Sequence, residues 1–331
     1  MKRSATIRLL LFALAVLLVP VGFNHLLPSK TPFNRQPLER LRTTQPDIVL
    51  IGDSLVHAAI DPQLLQRQLG DRKVEMIWRG GAASAAWYLS LKNYVVASGV
   101  HPRWCFVFFT YDLLTNAPFR TTATYRAFLE SLSDQPDPVY RLVLGNDTSK
   151  ETSPQRLVSW LYPLTDRRHY YQEKISRFVY RIEASTGPRV KALPRRVNEI
   201  FDVARLRQET LPQTVEAQAA RPLVFSADPT KSFLPHMVET AARAGIPVCF
   251  VRVRPYPGPE NRFRESDELR RYVSQLRGWI ESHGGAFIDT TENRKLTPDM
   301  YLRPGDDHVG PWARERATEI YAEELRPLLQ R

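Results

Sequence analysis

Five short apolar runs limit what this chain can fold into: Ile48-Val49-Leu50-Ile51, Val74-Glu75-Met76-Ile77-Trp78, Trp104-Cys105-Phe106-Val107-Phe108-Phe109, Val248-Cys249-Phe250-Val251-Arg252-Val253 and Ala286-Phe287-Ile288-Asp289. Each is strand-length and rich in β-branched or aromatic side chains. The run over 104–109 holds no charged or hydroxyl side chain, so both its faces need burial, as in a central parallel strand. Between the runs lie stretches of helical period: 62–69, a segment carrying Trp87, Leu89, Leu91, Tyr94 and Val95, then 233–244, 265–282 and a last one over about 312–329. Parallel strands cannot be joined by tight hairpins and need a crossover. The alternation therefore reads as βαβ units with right-handed crossovers. The expected fold class is α/β, a mostly parallel five-stranded sheet covered on both faces.

In such sheets ligands bind at the carboxyl ends of the strands. Gly52-Asp53-Ser54-Leu55 follows the first run, and Arg79-Gly80-Gly81 the second. Thr110-Tyr111-Asp112 leads to Asn116 after the third, Arg252 and Arg254 close the fourth, and Asp306-Asp307-His308 precedes the last helix. Asp53 and Ser54 alone are read equally well as a helix cap. The other strand-end residues tip the reading toward a nucleophile. A serine hydroxyl needs a base, histidine suits that task near neutrality, and the histidine needs a carboxylate to fix its tautomer. Ser54, His308 and Asp306 are the candidate catalytic residues, with Asp307 as the substitute acid. Backbone N–H groups of Ser54, Gly80 or Gly81 are candidate oxyanion donors, and Asn116 is another if its loop folds back. Arg79, Asp112, Arg252 and Arg254 are the candidate substrate-binding residues. For Arg252 and Arg254 the competing role is pairing with a structural acid such as Asp289.

Lys2, Arg3 and Arg8 precede a nearly continuous apolar run over 9–23, with Leu26 and Leu27 beyond it. A bilayer needs about 20 apolar residues, and positive charge on the short side keeps that end cytoplasmic. Residues 1–28 are thus expected to be a signal-anchor helix, with a cleaved signal peptide as the competing reading, 29–46 a linker, and the remainder extracytoplasmic. A net charge of +11 suits an acidic partner such as an anionic glycan or a lipid headgroup. No zinc finger, aromatic-basic RNA motif or basic recognition helix is present, which argues against nucleic acid. Cys105 and Cys249 fall inside strand runs and read as small core hydrophobes, and no metal-ligand spacing occurs. Residues 117–222 lack a strand run of comparable strength and are broken by prolines and rich in arginine. They read as a largely helical insertion or lid within the catalytic region 47–331.

Gly52-Asp53-Ser54-Leu55 resembles the first block of the SGNH (GDSL) hydrolase superfamily, Gly80-Gly81 its second-block glycine, and Asp306/Asp307-His308 its C-terminal Asp and His. The resemblance covers most of 46–331. It implies a flavodoxin-like three-layer α/β/α fold and metal-free, serine-dependent acyl-ester chemistry with no cofactor. The anchor and insertion are similar to members that modify cell-envelope polysaccharides, including the alginate O-acetylation proteins and the D-alanine-transfer protein of teichoic acid synthesis. This implies a membrane-anchored esterase or O-acyltransferase working on short acyl esters of an extracytoplasmic glycan, in company with a membrane-bound acyl-donor protein. Two positions depart from the superfamily pattern. The acid stands at Asp-x-His spacing, with glycine at 305, and the third block reads Thr110-Tyr111-Asp112 without its usual Asn. The alternative is a binding or assembly protein of the envelope that keeps the fold without the chemistry.

Overall fold

In the computed structural model, which describes residues 31–121, 125–144 and 223–330 together with Leu18, the five apolar runs are five strands of one sheet. They are β1 (Ile48–Gly52), β2 (Val74–Trp78), β3 (Trp104–Phe109), β4 (Val248–Arg252) and β5 (Ala286–Asp289), in the order β2-β1-β3-β4-β5. Every neighbouring pair is parallel, with Leu50 opposite Met76 on one side and Phe106 on the other. β1, β3 and β4 are buried at nearly every position, the burial that their unbroken apolar runs require. All the described residues but Leu18 belong to one compact unit, 30–152 with 223–331.

Side chains alternate across a strand, so each run feeds two cores. Val49, Ile51, Cys105, Val107 and Phe109 face one layer, built by α1 (Gln36–Thr44), α4 (Ser84–Ser90, continued as a π-helical turn over Leu91–Val96), α7 (Leu234–Arg243) and α8 (Asp267–Ser282). Ile48, Leu50, Phe106, Phe108, Cys249 and Val251 face the other, built by α2 (Ser54–Ala59), α3 (Pro62–Gln68) and α9 (Arg314–Leu329). The result is a three-layer α/β/α arrangement. Cys105 and Cys249 are free thiols at the centre of it, and burial pushes the Cys105 thiol up to about 12.

One expectation needs correction. Residues 36–44 are no linker: they form α1, with Pro37 in its first turn and Leu38 and Leu41 buried against the sheet. Arg40 ties this helix to β2 through Glu75 at 2.8 Å and the Met76 carbonyl at 3.0 Å. The folded unit therefore begins before residue 47. The expected anchor over 1–28 and most of the expected insertion, 145–222, lie outside the described residues. Within 117–144 the described elements are short helices, α5 (Arg126–Glu130) and α6 (Pro138–Leu144). Among the described residues no helix is long and apolar enough to cross a membrane.

Candidate active site

The turn from β1 into α2 places Ser54 at the carboxyl end of a central strand. Asp53 is the cap: its carboxylate accepts from the Leu55 N–H at 2.8 Å, and Ser54 is the first helical residue. The turn is so tight that Val56 folds back over Gly52. A Cβ there would lie 2.4 Å from Val56 Cγ1, which explains the glycine. The cap is Asp53 alone, which leaves the Ser54 hydroxyl for another partner.

Ser54 Oγ lies 2.9 Å from His308 Nε2, and His308 Nδ1 lies 2.7 Å from Asp306 Oδ1. A carboxylate only accepts, so Nδ1 carries the proton and Nε2 is left to accept from the serine hydroxyl. The His308 backbone N–H also donates to Asp306 Oδ1 at 3.1 Å, the compact turn that Asp-x-His spacing permits. Partial burial works to raise the Asp306 carboxyl, but the hydrogen bonds from the His308 ring and backbone, with Arg303 nearby, outweigh it and hold the group below its ordinary value. The acid is thus ionised and aimed at the ring.

Asp307 does something else. Its two oxygens accept from the Tyr256 N–H at 2.9 Å and the Tyr111 hydroxyl at 3.1 Å, and burial raises its carboxyl. It fastens the histidine loop to the loops after β3 and β4. The histidine loop is closed on itself by pairing of Tyr301 with Val309 and by Leu302 N–H to the His308 carbonyl at 2.9 Å.

Gly80 and Gly81 form the turn after β2, closed by the Ala82 N–H on the Arg79 carbonyl at 3.0 Å. Gly81 has φ +77°, and a Cβ on it would meet the Tyr125 ring at 2.9 Å and Arg120 Nη1 at 3.4 Å. Arg79 lies over the Phe128 ring and lines a cavity of ≈ 60 Å³ with Gly52, Trp78 and Trp87. Asp112 and Asn116 bond to each other, amide nitrogen to carboxylate at 3.1 Å, within one turn after β3. That contact commits one amide N–H of Asn116 to its own loop.

Arg252 and Arg254 lie in the interior, where the competing structural role expected of them is the one their contacts match. Both are 1% exposed. Arg252 pairs with Glu265 and, at 3.1 Å, with Asp289, the structural acid weighed against a pocket role. Arg254 donates to the Thr291 carbonyl and, at 3.0 Å, to both the carbonyl and side-chain oxygens of Asn261, while its own carbonyl accepts from the Tyr301 hydroxyl. A guanidinium ending a parallel strand faces inward wherever side-chain alternation sends it, and here buried acceptors wait. Sequence reasoning missed the tether from Asp307 to Tyr111 and Tyr256; nothing local in the sequence marks it, since the partners are remote along the chain. His57, one turn past Ser54, stacks on Trp78 with ring centroids 3.6 Å apart. Among the described residues no cluster of His, Cys, Asp and Glu is suited to hold a metal ion.

A strand-end serine, a histidine and a carboxylate thus stand in hydrogen-bonded series at the carboxyl end of an α/β/α sheet. No family model and no curated protein sequence matches the chain. Among solved structures it is similar to a Bacteroides fragilis protein assigned to the acylhydrolases, at 10% identity, with 89% of this chain and 97% of that one covered and a TM-score of 0.38. It is also similar to a lipase/acylhydrolase from Enterococcus faecalis at 12% identity, covering 85% and 95%, with a TM-score of 0.35. A gut microbial diltiazem-metabolizing enzyme is 11% identical, covers 86% of this chain and 46% of its own, and has a TM-score of 0.33. These likenesses are too distant to add weight to the sheet order and the site geometry.

Proposed function

We propose that the chain is an SGNH-type serine esterase or O-acyltransferase that works through an acyl-Ser54 intermediate. The observation that carries this is the series Ser54 Oγ, His308, Asp306 at 2.9 and 2.7 Å. As Ser54 attacks an ester carbonyl, its proton passes to His308 Nε2 and the new C–O bond makes a tetrahedral oxyanion. Collapse expels the alcohol, which takes the proton from His308. Water or a sugar hydroxyl then repeats the sequence in reverse, giving hydrolysis or transfer.

The substrate class we infer is a short acyl ester, acetyl above all, on an extracytoplasmic glycan. The apolar run after Lys2 and Arg3, the charge of +11 and the block resemblance support it. On this reading residues 1–28 anchor the chain in the cytoplasmic membrane, with the catalytic unit outside and a membrane-bound acyl-donor protein as partner. The rival, a binding protein without chemistry, leaned on the displaced acid and on the missing third-block Asn; the contact of Asp306 with the histidine ring speaks against the first of these. The full chain in detergent should hydrolyse p-nitrophenyl acetate and label at Ser54 with a fluorophosphonate. Ser54→Ala should lose both, with turnover down by at least about 10³-fold. Undiminished turnover in Ser54→Ala would sink the proposal.

A further inference from the structure

Arg120 packs beside the Gly81 turn, at the carboxyl end of β2. Its Nη1 would lie 3.4 Å from a Cβ on Gly81, so the guanidinium packs against the loop that presents the Gly81 N–H. Its charge also reaches Asp53, the residue before Ser54, as does that of His308. Arg120 and His308 therefore both act electrostatically on the turn that carries Ser54. Two rings flank the guanidinium, with Phe119 at 4.8 Å and Tyr125 at 5.7 Å to their centroids. Its backbone has φ +56°, a left-handed conformation that non-glycine residues seldom adopt and that gathers at functional sites. Among the described residues Arg120 forms no salt bridge, whereas Arg252 is closed off by Asp289 and Glu265. The amide of Asn116, in the same loop, is turned onto Asp112.

We propose that Arg120 is a catalytic residue whose guanidinium donates hydrogen bonds to the ester carbonyl oxygen as negative charge develops on it. The proposal rests on the serine reading above. In the attack, the Oγ–C bond forms, the carbonyl π pair moves to the oxygen, and the serine proton moves to His308 Nε2. Arg120 keeps all its protons. On collapse the pair returns, the bond to the leaving oxygen breaks, and that oxygen takes the proton from His308. A charge-assisted donor fixed beside Gly81 stabilises the oxyanion more than the uncharged carbonyl, so its effect falls on kcat. Two other roles for the same cation are distinguishable. It could only balance Asp53, or it could grip an acidic group on the substrate.

The test compares the full-length wild type in detergent with Ser54→Ala, Arg120→Ala, Arg120→Lys and Arg120→Gly on p-nitrophenyl acetate and on the p-nitrophenyl monoester of succinate, which adds a carboxylate. Arg120→Ala and Arg120→Gly should lose about 10²- to 10³-fold in kcat on both esters. Arg120→Lys should recover part of the loss, and added guanidinium ion should partly restore Arg120→Gly. The melting temperature of Arg120→Gly should equal or exceed that of the wild type, because glycine accepts the positive φ. Unchanged kcat, or a loss confined to KM for the acidic ester, overturns the proposal. So does a loss that follows a lowered melting temperature in Arg120→Gly. If Ser54→Ala keeps wild-type turnover, the serine reading falls and this one with it. If Ser54→Ala is dead while the Arg120 variants are not, only this proposal falls.

Discussion

Asp306 shows how a two-residue spacing can set a carboxylate on a histidine ring. Placing it at i−2 from His308 lets one carboxylate oxygen take both the ring Nδ1–H and the backbone N–H. Its lowered pKa has a definite sign in stability. The group is charged in both folded and unfolded chains above the ordinary carboxyl range, where its hydrogen bonds contribute fully. That contribution is lost as pH falls through the depressed folded value, so its loss lies below about pH 4. Protonation of Asp306 therefore cannot account for activity lost between neutrality and about pH 5. Asp306→Asn should fold normally and lower kcat by about 10³- to 10⁴-fold, since an amide stabilises the wrong tautomer. Stopped-flow turnover beside a far-UV melting curve checks both halves of this expectation.

At the scale of elements, the histidine loop between β5 and α9 is the part that must be held from outside. Its ring residue is far in sequence from Ser54, and its own closure, Tyr301 against Val309, does not reach the sheet. Asp307 makes the link through Tyr111 and Tyr256, and Tyr301 makes another through the Arg254 carbonyl. Asp307→Ala leaves a half-buried N–H and a hydroxyl without that acceptor and should cost about 1–3 kcal/mol, with kcat reduced because His308 loosens. Asp307→Asn should be milder and alter the pH dependence. The native carboxyl is raised by burial, so its favourable contribution is present at low pH and fades as pH rises through the raised value. Urea titrations from about pH 4 to 8 should show this decline in the wild type and a flatter profile in Asp307→Asn.

For the whole molecule, the sheet sets two cores of comparable extent and leaves its carboxyl end for chemistry. Arg252 closes the far side of that end by bridging β4 to β5 and to Glu265 before α8. Removing one member of a buried ionic group strands the others, so Arg252→Ala should destabilise by about 3–5 kcal/mol. Because Arg252 is interior, KM for an ester substrate should stay at the wild-type value below the new melting range. A raised KM there would place Arg252 among the substrate-binding residues.

How much of this was legible in the sequence depends on the range of the forces involved. Strand positions, the parallel class and the turn at Gly52-Asp53-Ser54 follow from local apolar periodicity and from the steric demand of one glycine, so they could be read in order along the chain. The helix over Gln36–Thr44 was not, because its two buried leucines give too narrow an apolar stripe among polar residues to stand out. The sequence also proposed the partners Ser54 and His308, though it left the acid open between Asp306 and Asp307. That choice, the burial of Arg252 and Arg254 and the approach of Arg120 to Gly81 depend on contacts between residues far apart in the chain. Nothing in local composition encodes which of two neighbouring carboxylates faces the ring and which faces Tyr111. The sequence by itself determined the strand-end positions of Ser54 and His308; that Asp306 meets the His308 ring and Arg120 packs by Gly81 was decided only when the strand ends were brought together.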